Sequence, residues 1–298
     1  MVPRISRTVA AGAAIAGALT VAGLLLAGGG RSSATSADPS VAVGVGEARA
    51  GTLTVSLPGA TTDRIYASPI AAGRPIVVID AGHGGTDPGA TSVSGQVHEK
   101  DLTLALAREL RDVLVERGRV RVAMTRNDDH YLSLDERAAV AQRLDASTFI
   151  SLHMDSAPNP LARGATIYSL SDVASDSESA RAAAADNRGG AAEQGGNSVA
   201  AMLSDLAIRD QMNASAEFAT RVAAKSAGRV ELRPQPHRFA DFHVLRRAAA
   251  PAILFEAGYI SNADDEVMLR DPERRKAIVL ALAQAIEADV ATRSRVES

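Results

Sequence analysis

An unbroken β-branched run, Ile76-Val-Val-Ile79, is closed by Asp80 and followed at once by Ala-Gly-His83-Gly-Gly-Thr-Asp87-Pro-Gly89. No other feature constrains the fold so strongly. Four consecutive β-branched side chains leave no polar face, so this strand must be buried on both sides, as in a sheet covered by helices. The glycines allow the sharp turn and close backbone approach that a site at the strand's carboxyl end requires. The rhythm then continues. Leu102, Leu106, Leu110 and Leu114 recur at i+4 and predict a helix over 99–118, with Gly118 as its cap. Ser133-Leu-Asp-Glu136 opens a second helix as a capping box. Strands are predicted at 120–125, 148–152, 165–170, 241–245 and 252–255, and a last helix at 272–290. Such alternation predicts an α/β fold with helices on both faces of a sheet.

Composition narrows the chemistry. The 298 residues are 46% hydrophobic, enough for a packed core, and carry a formal charge of only -3, which gives no electrostatic case for nucleic-acid binding. Aromatic residues make up 3% with no Trp, so stacking platforms for bases or sugars are not expected. The absence of cysteine excludes thiolate metal sites, so any metal must be held by His, Asp or Glu. The start reads as an export signal. Arg4 and Arg7 precede an uncharged Ala/Leu/Val/Gly run to Gly30, and small residues follow from Ser32 to Ala37. A cleaved signal over 1–37 is favoured over an uncleaved anchor; either exports the rest to the periplasm or cell envelope. Residues 38–74 read as a linker or stem, or as an edge strand on the main domain. One domain is expected over 75–291. Within it, 171–210 breaks the rhythm with seven acids, three Arg and many Ala, and reads as a helical insertion.

Four motifs lie at element ends. His83 projects from the first glycine loop, which lacks the Gly-Lys-Ser/Thr ending of a phosphate cradle. Glu99 opens the first long helix, where an acid also suits the helix dipole. His153 ends the strand Ile150-Ser-Leu-His, and Glu256 follows Ala252-Ile-Leu-Phe255. A carboxylate at the tip of a buried strand is costly unless paired or metal-bound. Two His and a Glu from three element ends suit a catalytic zinc with one open position, and a further Glu suits its general base.

The strings IVVIDAGHGGTDPGA, EKDLTLALARELRDVL, VAMTRNDDHYLSLDERAAVA, FISLHMDSA, GATIYSL and PAILFEAGYISN, in this order, resemble the zinc-dependent N-acetylmuramoyl-L-alanine amidases of the type 3 family. The resemblance covers about 75–290. It implies a single α/β domain with a mixed, mostly parallel six-stranded sheet. It implies one Zn2+ on His83, Glu99 and His153, with Glu256 as the catalytic carboxylate. The implied reaction is hydrolysis of the amide between N-acetylmuramic acid and L-alanine in peptidoglycan, for wall remodelling and daughter-cell separation. Asp80 is a candidate to support a His ligand through its ring nitrogen, and His243, where the family has a strand near the site, is a candidate to stand behind the ligands or to touch substrate.

The stretch from Gly164 to Asn187 resembles the division-associated subgroup. There a helical insertion covers the zinc cleft with an acidic residue, often in a Glu-Asn pair, and an activator protein displaces it. Here the shorter Asp186 precedes Asn187, and Glu193 is a second candidate. The competing readings are another zinc amidohydrolase or peptidase of the envelope, and a silent wall-binding module, which would have a broken ligand set.

Overall fold

A computed structural model describes residues 41–43, 53–55, 63–189 and 199–296. The expected export segment and Glu193 lie outside the described residues. The chain divides into two units, Met1–Ala60 and Thr61–Ser298. In the first, β1 (Val41–Val43) pairs antiparallel with β2 (Leu53–Val55).

The second unit holds strands β3 (Ile65–Tyr66), β4 (Ile76–Ala81), β5 (Arg121–Met124), β6 (Thr148–Asp155), β7 (Ala165–Leu170), β8 (Leu232–Ala240) and β9 (Ala252–Tyr259). They form one sheet in the order β3-β5-β4-β6-β9-β7-β8. Neighbours run parallel from β5 to β9 and between β7 and β8, and antiparallel at β3–β5 and β9–β7. The expected mixed, mostly parallel sheet is therefore present, with seven strands rather than six. The additional strand, β3, comes from the segment expected to be either linker or edge strand.

Helices cover both faces: α1 (Glu99–Arg117), α2 (Leu134–Arg143), α3 (Ser177–Asp186), α4 (Val199–Ser226), α5 (His243–Arg247), α6 (Ala263–Arg270) and α7 (Pro272–Val296). Alternate β4 residues split between two cores. Val77 and Ile79 join α1, α4 and α7 on one side, and Ile76 and Val78 join α2 and α5 on the other. Leu102, Leu106, Leu110 and Leu114 of α1 are all buried at 5% exposure or less, each contributing about 2 kcal/mol by area. Gly118 ends α1 at φ 63, in the left-handed region that glycine occupies without strain. Ser133 and Glu136 complete the expected capping box of α2.

Two expectations need correction. Residues 241–245 are not a strand; Asp241 and Phe242 lead into α5, which starts at His243, and the strand of this region is β8. Pro234 and Pro236 disguise β8 in the sequence, yet at a sheet edge the outward side needs no N–H donors. The stretch 171–210 does hold α3, but α4 runs on to Ser226, and Phe218, Ala219 and Val222 of its second half are core. The boundary at 210 therefore cuts a helix that belongs partly to the main domain. Among the described residues, no helix is long and apolar enough to cross a membrane.

Candidate metal centre

Three strand ends and one helix start meet at one point. The loop after β4 carries His83, α1 begins with Glu99, and β6 and β9 lie side by side with His153 in register with Glu256. Glu99 Oε1 stands 3.1 Å from His83 Nε2 and 3.1 Å from His153 Nδ1. Ligands of a tetrahedral zinc, bonded at about 2.0–2.1 Å, stand about 3.3 Å from one another, so this spacing fits one ion. Asp186, at the end of α3, approaches the other ring nitrogen of His153, with Oδ1 3.8 Å from Nε2. His83, His153 and Asp186 also present one ligand atom each within a 4.8 Å cluster. The Asp186 Oδ2 atom is buried with no hydrogen-bond partner, as is Glu256 Oε2. Two imidazoles, a carboxylate between them and orphaned carboxylate oxygens at the rim are a donor set suited to a divalent cation.

The electrostatics agree. Burial opposes charge on His83, but the carboxylates of Glu99 and Asp87 outweigh it and raise the imidazole to about 10. Burial also works against the Glu99 carboxylate, and the two imidazoles hold it well below the usual range. The raised His83 reports the negative potential of the carboxylates around it, which favours a bound positive charge, while the lowered Glu99 reports its pairing with the two imidazoles. Glu256 behaves oppositely. Burial, then the negative charges of Asp155, Glu99 and Asp186, push it well above the usual carboxylate range.

The loop that carries His83 is strained and then locked. His83 has φ 59, a left-handed conformation that costs a non-glycine residue roughly 1–2 kcal/mol. Arg137 Nη2 donates to the His83 carbonyl at 2.6 Å, and Arg126 holds the Ala81 and Gly82 carbonyls at 2.9 Å each. The His83 ring is oriented by Asp87, 2.8 Å from Nδ1, as a carboxylate orients a metal-binding imidazole. Asp80 does not take that place. Its carboxylate accepts from Thr125, Arg137 and Ser151, so it supports the site through Arg137 and touches no imidazole. Neither Arg126 nor Arg137 stands out in the sequence, since an Arg after a strand or in a helix reads as surface charge; Asp87 was visible in the glycine loop but not its pairing. Arg137→Met leaves Asp80 buried without its charge partner, and is expected to lower unfolding stability by about 3–5 kcal/mol in chemical denaturation.

His243 is present at the rim but differently placed. It opens α5, its backbone N–H donates to Asn187 Oδ1 at 2.8 Å, and its Nδ1 is buried without a partner. Asn187 Nδ2 also donates to the Asp241 carbonyl at 2.6 Å. Asn187 thus pins the end of α3, and with it Asp186, to the segment between β8 and α5. The cleft beside the cluster is lined by His83, His153, Asp186, Tyr131, Leu132 and Val244.

Comparison with known proteins places this geometry in a lineage. A family model described as N-acetylmuramoyl-L-alanine amidase matches residues 77–288. The chain is 32% identical over 231 residues to N-acetylmuramoyl-L-alanine amidase AmiC of Escherichia coli O6:H1, covering 74% of this chain and 55% of that one. It is 30% identical over 220 residues to AmiA of Escherichia coli K12, covering 72% and 75%. Among solved structures, the catalytic domain of the amidase CwlV from Paenibacillus polymyxa var. colistinus aligns with a TM-score of 0.51 at 27% identity, covering 71% and 96%. The chain spans about half the length of the first curated relatives it matches. The matched region contains every residue of the cluster from His83 to Glu256, and the chain belongs to the N-acetylmuramoyl-L-alanine amidase family.

Proposed function

We propose that this protein is a zinc-dependent N-acetylmuramoyl-L-alanine amidase of the cell envelope, exported by its N-terminal segment. It hydrolyses the amide between N-acetylmuramic acid and L-alanine in peptidoglycan, in wall remodelling and daughter-cell separation. The single observation that carries the reading is the convergence of His83, Glu99 and His153 beside a buried, unpartnered Glu256. His83, Glu99 and His153 are the proposed zinc ligands. Bound zinc supplies Lewis acidity, lowering the pKa of a water and polarising a carbonyl.

The rest is the work of the chain. Glu256, raised above the usual carboxylate range by burial and neighbouring negative charge, is a strong base for its type. Its free Oε2 takes the proton of the attacking water and returns it to the departing amine of L-alanine. Asp87 and Arg137 hold His83 in place while the substrate binds. Asp186 stands where it can fill the open ligand position, so α3 acts as an inhibitory lid that a partner protein removes. The Asp186–Asn187 pair is the counterpart of the Glu-Asn pair of the division-associated subgroup, and Asn187 supplies the anchor.

The test is mass spectrometry of products released from purified sacculi by the zinc-loaded protein and its Asp186→Asn variant. Free stem peptides beginning with L-alanine are expected from both, with the variant at least about tenfold faster, and with loss of product after chelation. Cleavage at another bond would overturn the substrate assignment; equal rates would remove Asp186 from the lid.

A further inference from the structure

The lid is held by charge rather than by apolar surface. Only Ser179 and Ala183 of α3 are buried, and neither offers much hydrophobic area. At its other end, Glu178 Oε2 accepts from Arg233 Nη2 at 2.8 Å and Arg238 Nη1 at 3.0 Å, and Glu178 Oε1 accepts from the Tyr259 hydroxyl at 2.8 Å. Asp176, the cap of α3, adds a second carboxylate 3.1 Å from Arg238 Nη1. Arg233 Nη1 donates to the Tyr259 oxygen at 2.8 Å, and its guanidinium lies 5.3 Å from the centre of that ring.

The receiving side is built into the sheet. Arg238 is 7% exposed on β8, Tyr259 is 1% exposed at the end of β9, and Arg233 Nε is buried without a partner. Tyr259 pairs with Asp155 in the β6–β9 register, immediately beyond His153 and Glu256. Among the described residues, every carboxylate paired with Arg233 or Arg238 comes from Asp176 and Glu178. When the lid lifts, both guanidiniums lose their carboxylate partners, leaving Arg238 the Gln235 carbonyl and Arg233 the Tyr259 oxygen, and the Tyr259 hydroxyl loses Glu178. A buried charge without a partner is costly, so the open enzyme needs another anion there.

We infer that Arg233, Arg238 and Tyr259 form a carboxylate subsite for the stem peptide, and that Glu178 occupies it in the closed protein as a substrate mimic. This rests on the amidase reading above. The spacing fits. Glu178 precedes Asp186 by eight residues along α3, about 12 Å at 1.5 Å per residue. An extended peptide covers that distance in three to four residues at about 3.3–3.6 Å each. A carboxylate on the third residue of a stem peptide cut at its first amide reaches the arginine pair. The lid thus imitates the substrate at both ends, with Asp186 at the metal and Glu178 at the peptide carboxylate.

The test uses the full chain with Asp176→Asn and Glu178→Gln, which frees the arginines without altering them. Two N-acetylmuramoyl tripeptides, L-Ala-γ-D-Glu-diaminopimelate with free carboxylates and the same compound amidated, are compared by kcat/KM. Binding of the corresponding free tripeptides is measured by calorimetry. A preference of roughly tenfold or more for the free acid is expected in both, as for a hydrogen-bonded charge pair. Adding Arg238→Gln should erase the preference, and Arg238→Lys should restore part of it. If the arginines serve only as a latch, both substrates are cut alike and Arg238→Gln merely raises activity, which overturns the inference. Selective binding without cleavage at the first amide would overturn the amidase reading and leave the subsite standing.

Discussion

Glu256→Gln is expected to lower amide hydrolysis by about 10³-fold while leaving the metal-loaded fold intact, the loss typical when a positioned general base is removed. Glutamine keeps the shape and buried volume but cannot accept a proton from water. The side chain sits on β9 beside His153 with Oε2 facing no donor, so the wild-type residue contributes nothing to packing that glutamine lacks. The same substitution should raise the thermal midpoint of the metal-free protein by a few degrees. In that state Glu256 is pushed well above its usual range, so ionising it near neutral pH opposes folding, and a neutral amide removes the penalty. Lost activity with gained stability is the mark of a residue held in an unfavourable setting for function. Rates of stem-peptide release and calorimetric midpoints of the two proteins decide it. A variant within tenfold of wild type would exclude Glu256 as the base.

Gly82→Ala should abolish tight metal binding without unfolding the domain. A Cβ at residue 82 would stand 2.5 Å from both Cε1 and Nε2 of His153, well inside contact distance. The β4 backbone on one side and the buried β6 on the other leave the imidazole as the part that yields. His153 would then swing away from Glu99, now 3.1 Å from its Nδ1, and the ligand set would open. A displacement of about 1 Å at a reacting centre commonly costs on the order of 100-fold, and loss of a ligand costs more. Chelator competition should therefore show metal affinity reduced by at least about 100-fold, with activity falling in parallel. The unfolding midpoint of the metal-free variant should stay near that of the metal-free parent. A large fall in that midpoint would instead assign Gly82 to the core.

Most of the central domain could be read from the chain because its cues are local. The Ile76–Ile79 run marks β4, the leucine period marks α1, and Ser133 with Glu136 marks the start of α2. Strand β8 could not be read, because Pro234 and Pro236 argue against a strand unless its position at the edge of the sheet is known. The next five residues alternate like a strand yet turn into α5 from His243, where adjacent Val244 and Leu245 are both buried. Strands β6 and β9 run further than their apolar cores suggest, to Asp155 and Tyr259, because each is paired by the other.

By itself the sequence determined which residue types could bind and react: two histidines and two glutamates at element ends, with no cysteine to compete and glycines where backbone must pass close. These follow from composition, period and turn chemistry, which act over a few residues. Only the tertiary structure decided which of them meet. The β6–β9 register sets His153 beside Glu256, Asp87 rather than Asp80 turns the His83 ring, and the arginines of β8 await the acids of α3. Those pairings depend on strand order and on which buried charge finds a partner, and neither quantity is local to any stretch of chain.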